Sequence, residues 1–530
     1  MKAELIALED SRHWNPLMSA YIAKDERLSE LYSVYPSKSN LLKQLPGRGL
    51  AQEIREDLVE VLTEQYKTAD LLTDNRAKLI EKLLNPNSRT VTSGHQLGLF
   101  GGPAYFVYKI AGLIKLAQEL DVIETPVLPI FWMATEDHDF EEINHFYLGE
   151  DRIEWKREGA GACGRMSFEG IEQVQNDLRK ALGNRPDSDR LLGLFESTYL
   201  KSKNLSEATL KLVHAIFEGQ DLLCLDADSK VLKAHFVPYM KQELLAQVAE
   251  PLVNEKSAVL KGLGYKAQVF PREINLFFLT DDGRYRIEKR GEDYGLVDAD
   301  QTWTEEELLK KLEENPQSFS PNALLRPLYQ EVILPNVAYL GGGGELSYWF
   351  QLKAVFDHFQ VPFPALFPRN SGLALGENVL RKMKQLEIDP VQLFKGVEVH
   401  LEKILESNES YDGFLAEKEK FGQLSVVLKQ RFSQFEESMH AYSEAHVRKM
   451  EKVLEHMESK FKRRMKKKEE IRIQKLEAIY REVYPKKVLQ ERIQSFAYLR
   501  LALGAGIIPK LIDNFDPFAF NVLILKDQSS

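Results

Sequence analysis

Cysteine is almost missing from this chain: 530 residues contain two, Cys163 and Cys224, and neither belongs to a CxxC pair. A disulfide framework is thereby excluded, and the expected setting is a reducing cytoplasm. Long apolar runs are missing as well. Met1-Lys2-Ala3-Glu4 runs into charge at once, without the apolar stretch of a signal peptide. The longest uncharged stretch of interest, Thr90 to Tyr108, carries four glycines and Pro103, so it reads as a loop-bearing motif and not as a membrane span. Positive charge is in deficit, with 70 Lys and Arg against 80 Asp and Glu and a net charge of −10, which argues against nucleic acid as a general partner. Glycine and proline vanish altogether between Gln423 and Tyr484. Those 62 residues suffice for ~93 Å of unbroken helix.

What is present is ordinary in bulk. Hydrophobic residues make up 44% and charged residues 28%, close to the globular average, which excludes wholesale disorder. The length suggests two to four domains at roughly 100–200 residues each. Residues 1–88 read as mostly helical. Thr90–Ser93 reads as a strand, followed by a turn carrying Gly94, Gly98, Gly101 and Gly102, a helix over about 104–120, and an apolar strand over 126–133. This βαβ pattern implies a parallel sheet with helices on both faces. A mainly helical insertion is expected over about 151–260, around the apolar run Leu222–Leu225. Hairpin strands are expected at Tyr265–Val269, Ile274–Thr280 and Tyr285–Glu288, with a turn at Asp281-Asp282-Gly283. The α/β pattern then resumes with a strand over 333–340, the glycines Gly341–Gly344, a helix over about 345–359 and a strand over 363–367.

In the glycine- and proline-free stretch, Val447, Met450, Leu454, Met457 and Phe461 are spaced 3, 4, 3, 4, a coiled-coil seam that Leu428, Phe432, Phe435, Met439 and Tyr442 continue upstream. A helix of this length needs a neighbouring helix, a second subunit or both to cover its seam. Residues 447–480 carry a local +6, leaving −16 elsewhere. The stretch reads as a solvated face matched to an acidic partner face, with polyanion binding as the alternative.

Four places carry chemistry. Gly94-His95-Gln96, with Gly101 and Gly102, lies at a strand end ahead of a helix N-terminus, where free amides and the helix dipole suit an anion. It lacks the lysine of a P-loop, and a tight turn with a hydrogen-bonded histidine is the alternative. Glu136-Asp137-His138-Asp139 follows the second strand, at the sheet end where α/β folds place ligands. It would hold a divalent metal, orient an amine or act as general base; an exposed acidic turn is the alternative, and no zinc signature is present. Asn322 and Arg326, with Gly343 and Glu345 behind the glycine run, offer a guanidinium clamp for a carboxylate or phosphate. Arg369 and Ser371 follow the last strand of the pattern.

These residues carry a resemblance. Gly94-His95-Gln96, Gly101-Gly102-Pro103, the run Phe131-Trp132-Met133-Ala134 with Glu136-Asp137-His138-Asp139, Ser320-Pro321-Asn322 with Leu325-Arg326-Pro327, Pro368-Arg369 with Ser371, and Leu489-Gln490-Glu491-Arg492 closely resemble the BshC family, cysteine ligases of bacillithiol biosynthesis, over essentially the whole chain. The resemblance implies an α/β fold: a Rossmann-like parallel-sheet core with inserted connecting segments, and an α-helical coiled-coil domain that mediates homodimerisation. It implies the last pathway step, joining the carboxyl group of L-cysteine to the amine of glucosaminyl-malate. The domains are then expected at 1–88 (helical, packed on the core), 89–378 (core), 379–505 (coiled coil) and 506–530 (returning to the core).

The core also resembles those of class I aminoacyl-tRNA synthetases. On that analogy Gly94-His95-Gln96 and Pro368-Arg369-Asn370-Ser371 stand where a His-rich turn and a basic loop activate a carboxylate. The chain has neither the HxGH pair nor the KMSKS lysine, so the cofactor stays open, with ATP the candidate and no metal implied. The expected roles are His95, Gln96 and Arg369 on the activating phosphoryl group, and Glu136, Asp137 and His138 on the amine. Asn322 and Arg326 would hold an anionic group such as the malate carboxylates, and Gly94, Gly101, Gly102, Gly343, Glu345 and Ser371 would line the substrate or nucleotide. A nucleotidyltransferase or metal-dependent hydrolase on the same core, and a coiled-coil interaction protein with a degenerate head, are the rival readings.

Overall fold

The computed structural model describes residues 2–7, 14–157, 159, 161–280, 283–406 and 409–527. Met1, Asp281 and Asp282 of the expected hairpin turn, and Ser407 lie outside them. The chain divides into two compact units: Met1–Ala374 with Gln490–Gln528, and Leu375–Leu489.

The first unit is built on five parallel strands, β1 (Arg89–His95), β2 (Val127–Met133), β3 (Leu223–Asp226), β4 (Asn336–Gly341) and β5 (Ala365–Pro368), in the spatial order β3-β2-β1-β4-β5. β2 is buried at every position, as a strand covered on both faces must be. The polar residues of β1 are satisfied inside the core: Thr92 donates to Asn336 Oδ1 at 2.9 Å and Ser93 to the Leu340 carbonyl at 2.7 Å. Helix α1 (Tyr105–Leu120) crosses between β1 and β2 with 12 of its 16 residues buried, so its apolar surface runs nearly all round. The strand order reverses between β1 and β4, which is the switch point where such sheets open a crevice.

Several expectations are corrected. Leu223–Asp226 is not part of an insertion; it pairs in parallel with Ile130–Met133 and forms one edge of the central sheet. A four-residue apolar run among helices has too little length for its period to reveal a sheet partner. Tyr265–Val269 is irregular instead of a strand, because the amides of Gln268 and Val269 donate to the Gln351 side chain at 2.8 and 3.2 Å. The expected helix over 345–359 is two, α3 (Gly343–Trp349) and a second over Lys353–His358. Helix α2 (Arg326–Ile333) precedes β4. A second, antiparallel sheet of five strands includes Leu276–Leu279, Arg284–Arg290 and Phe319–Pro321. Within the mostly helical first 88 residues, Lys2–Ala7 is a strand, paired antiparallel with Asn521–Lys526.

In the second unit the glycine- and proline-free stretch is not one helix. It breaks into α4 (Glu409–Phe435), α5 (Met439–Lys468) and α6 (Glu470–Val483). Phe432 lies 6.4 Å from Tyr442, Lys418 pairs with Glu458, and Phe414 stacks on Phe461 at 5.8 Å, so α4 and α5 form an antiparallel hairpin. Doubling back lets each helix cover the apolar stripe of the other, a packing gain that outweighs the few backbone bonds lost at Glu436–Ser438. Val447 and Met465 are buried in this way, while Met450 and Met457 remain 40% and 51% exposed.

Candidate active site

A cavity of about 530 Å³ opens at the carboxyl ends of β1, β2 and β4. Of the residues singled out from sequence, Gly94, His95, Gln96, Glu136, Asp137, Asn322, Arg326, Gly343, Glu345 and Arg369 line it. His138, Gly101, Gly102 and Ser371 are not lining residues. Gly101 and Gly102 adopt φ of +83° and +62° in the turn that precedes α1. At the start of α1 the Ala104 amide donates to the Gln494 carbonyl at 2.6 Å. Ser371 is fully buried and donates to Glu491 at 2.6 Å. His138 faces outward, with Nδ1 3.3 Å from the Arg284 guanidinium.

The charges of the cavity fall into two groups. Most are already paired. Lys109, on α1, donates to the Gly94 carbonyl and to Glu345, both at 2.7 Å. Glu345 also accepts from the Tyr339 hydroxyl and from the Gly342 amide at 3.1 Å. Gly94 matters here because a Cβ would come within 3.2 Å of the Tyr339 hydroxyl. Burial works to raise the Glu345 carboxyl, but the Lys109 ammonium and the hydrogen bonds around it hold it below the usual range. Arg369 pairs with Glu491 and lies 5.1 Å from the Tyr105 ring centre. Glu136 accepts from Lys233, which is also held by Asp228 at 3.1 Å; burial pushes the Glu136 carboxyl up against that neighbouring charge.

Arg284 and Arg326 form the other group. Arg284 donates to Ser320 Oγ at 3.2 Å and to the Pro321 carbonyl at 2.9 Å. Arg326 donates to Gln330 Oε1 at 3.1 Å and to the Tyr339 hydroxyl at 3.5 Å. Among the described residues, no carboxylate lies within 4.0 Å of either guanidinium. Neither guanidinium makes a direct ion pair, although Asp137 feels the Arg284 charge and Glu345 that of Arg326, and both face one cavity together with Arg492, an arrangement that suits a ligand carrying negative charge.

His95 sits among aromatic rings, 5.2 Å from Tyr105 and 5.6 Å from Phe106. Burial, assisted by Lys109, lowers its pKa to about 3, so at neutral pH it is an uncharged hydrogen-bonding group and not a cation. The Gln96 amide nitrogen bridges Asp137 at 2.7 Å and Glu142 at 2.8 Å. Burial works to raise the Asp137 carboxyl, yet the hydrogen bonds from His138 and Gln96 and the Arg284 charge hold it well below the usual carboxylate range. The Asn322 side chain is engaged with Asn275 at 2.9 Å and with the Leu324 amide at 2.9 Å, so it shapes the turn that presents Arg326.

Two family models together span nearly the whole chain. Residues 1–370 match the N-terminal Rossmann-like domain of bacillithiol biosynthesis BshC, and residues 373–526 match its C-terminal coiled-coil domain. The chain belongs to the BshC family. Proteins named "Putative cysteine ligase BshC" from Christiangramia forsetii and Flavobacterium psychrophilum are 35% and 36% identical to it, covering 99% of this chain and 99% and 100% of their own lengths. The protein of that name from Bacillus cereus ATCC 14579 is 27% identical over 88% of this chain and 89% of its own.

Sequence reasoning did not single out Lys109, Arg284, Tyr105 or Tyr339, and it gave no role to Arg492 of the Leu489–Arg492 run or to Glu142 of the acidic turn; all six line the cavity of this BshC-family chain. Lys109 had a legible signal, a lone cation in the otherwise apolar first half of α1. Arg284 had none, because it enters from a strand of the second sheet. The rival metal-cluster reading finds no ligand set: Glu136 turns to Lys233, Asp137 to Gln96, and Asp139 caps the short helix Phe140–Ile143 through the Glu142 amide at 3.3 Å. Among the described residues, no group of three or more His, Cys, Asp or Glu is placed to hold a metal. Nor is any described helix long and apolar enough to cross a membrane.

Proposed function

We propose that this chain is a cytoplasmic cysteine ligase that forms the amide bond between the carboxyl group of L-cysteine and the amine of glucosaminyl-malate. The observation that carries the reading is the pair of guanidiniums, Arg284 and Arg326, left without carboxylate partners in a cavity that also holds an ionised Asp137. A malate headgroup brings two carboxylates and the glucosamine an ammonium, so one molecule satisfies both demands. In this reading Arg326 clamps the malate, with Asn322 holding its turn, and Asp137 orients the amine. Glu136, with its proton affinity raised by burial, accepts the proton that the amine loses on attack.

The cysteine carboxyl carbon then gains the C–N bond, and the activated oxygen leaves with its electron pair. Neutral His95 would hydrogen-bond the leaving group, and Arg369, its charge already met by Glu491, would donate hydrogen bonds there. ATP is the proposed activator. A homodimer is proposed through the helical hairpin, where Met450, Val453 and Met457 leave an exposed apolar stripe at helical spacing.

The test is incubation of the chain with cysteine and glucosaminyl-malate, with and without ATP, read by mass spectrometry. A product containing both substrates less one water is expected with ATP. Folded protein that yields no such product under either condition would overturn the reading.

A further inference from the structure

Behind Arg326 lies a buried polar chain that touches no cavity surface. Gln330, one turn along α2, is fully buried; its Oε1 accepts from Arg326 Nη1 at 3.1 Å and its Nε2 donates to Glu331 Oε1 at 2.8 Å. Asn336 Nδ2 donates to the same Glu331 oxygen at 2.8 Å, and Arg48 Nη2 donates to the other at 2.8 Å. Arg48 is anchored in turn to the Asn336 carbonyl at 2.7 Å. Glu331 is 2% exposed and Asn336 fully buried, so none of these groups has water as a substitute partner.

The chemistry of this chain has one direction. A guanidinium only donates, and although burial pushes the Glu331 carboxyl up to about 7, its two oxygens already accept from Arg48 and Asn336, so the amide between them presents its oxygen to Arg326 and its nitrogen to Glu331. Glu331 is neutralised from behind by Arg48 and does not reach Arg326 within ion-pair distance. Gln330 therefore occupies the place where a glutamate would pair with Arg326 and silence it. We propose that Gln330 is a positioning residue: it fixes the Arg326 guanidinium at the cavity wall without cancelling its charge, its own orientation being set by Glu331. This preserves a net positive site for a carboxylate of the substrate. The inference rests on the reading of Arg326 as the clamp for the malate group.

The experiment titrates the full-length protein with L-malate and with glucosaminyl-malate by calorimetry, and measures KM for cysteine, kcat and thermal unfolding. The proteins are wild type, Gln330→Glu, Gln330→Met and Arg326→Met. Gln330→Glu is expected to weaken glucosaminyl-malate binding at least tenfold and Gln330→Met about threefold, with KM for cysteine changed less than twofold. A purely structural role would move both substrates together and would rank the isosteric glutamate as the milder change. Wild-type affinity in Gln330→Glu, alongside lost binding in Arg326→Met, would overturn the role of Gln330 and leave the clamp standing. Unaltered binding in Arg326→Met would overturn the clamp and the inference with it. Should Gln330→Glu fail to fold, Gln330→Met decides: selective weakening toward glucosaminyl-malate supports the inference, and unchanged affinity overturns it.

Discussion

In the α/β body, Arg48, Lys109, Lys233 and Arg369 are nearly inaccessible and each meets a carboxylate, whereas in the helical hairpin the pairs Arg448–Glu444 and Lys420–Glu417 stand on the surface with side chains 40–70% exposed. The same residue types serve opposite ends. Buried pairs hold strand ends and loops in one arrangement, because breaking one strands a charge in a low-dielectric interior. Surface pairs keep a helix solvated and add little. Arg284 and Arg326 belong to neither class, being enclosed yet without an ion pair, and the proposed carboxylate clamp rests on that difference.

The comparison breaks most visibly at Glu491. Replacing it with Ala leaves Arg369 buried without a counter-ion and removes the acceptor of Ser371 and of the Gly372 amide. A loss of about 3–5 kcal/mol is expected, checked by denaturant unfolding of the body. Next, Arg326→Met leaves the buried Gln330 oxygen without a donor, at about 1–3 kcal/mol of stability, and should raise KM for glucosaminyl-malate on the order of a hundredfold, as for one charge-assisted bond pair, measured by steady-state kinetics.

A third prediction concerns pH. His95 titrates near 3 in the folded protein and near 6.5 unfolded, so between those values the unfolded chain binds the extra proton. Stability should therefore fall as pH drops through that window, with a slope from this residue of up to ~1.4 kcal/mol per pH unit. His95→Gln should flatten the slope, as read from denaturant midpoints at pH 4, 5, 6 and 7. Smallest of all, Arg448→Ala on the hairpin should change stability by less than about 1 kcal/mol in thermal unfolding, and raised salt should shrink the difference further.

The legible parts of the sequence were those whose signal is local. The β1–turn–α1–β2 unit announces itself through apolar runs and glycines, and the cavity residues at the ends of β1 and β2 follow from it. Arg326 and Arg369 were legible because each stands just before a helix or after a strand in a run of turn residues. The antiparallel hairpin was not legible, since nothing at Glu436–Ser438 breaks a helix; only the facing pairs Phe414–Phe461 and Phe432–Tyr442 show why the chain turns back. Arg284 and the Arg48 end of the Gln330–Glu331–Arg48 chain were equally silent, because Ser320 lies 36 residues from Arg284 and Glu331 lies 283 residues from Arg48, separations that share no period.

The body is interrupted in sequence by the unit Leu375–Leu489, and its remaining elements, Glu491 and the strand Asn521–Lys526 among them, arrive only afterwards. During synthesis at ~5–20 residues per second, the ribosome therefore spends on the order of ten seconds making the intervening helices. Throughout that interval the Lys2–Ala7 strand has no mate and Arg369 no carboxylate. In that interval the helical unit has all its own contacts at hand, whereas the body still lacks its last strand and Glu491. A chaperone that shields an unpaired edge strand would have its natural substrate in that window.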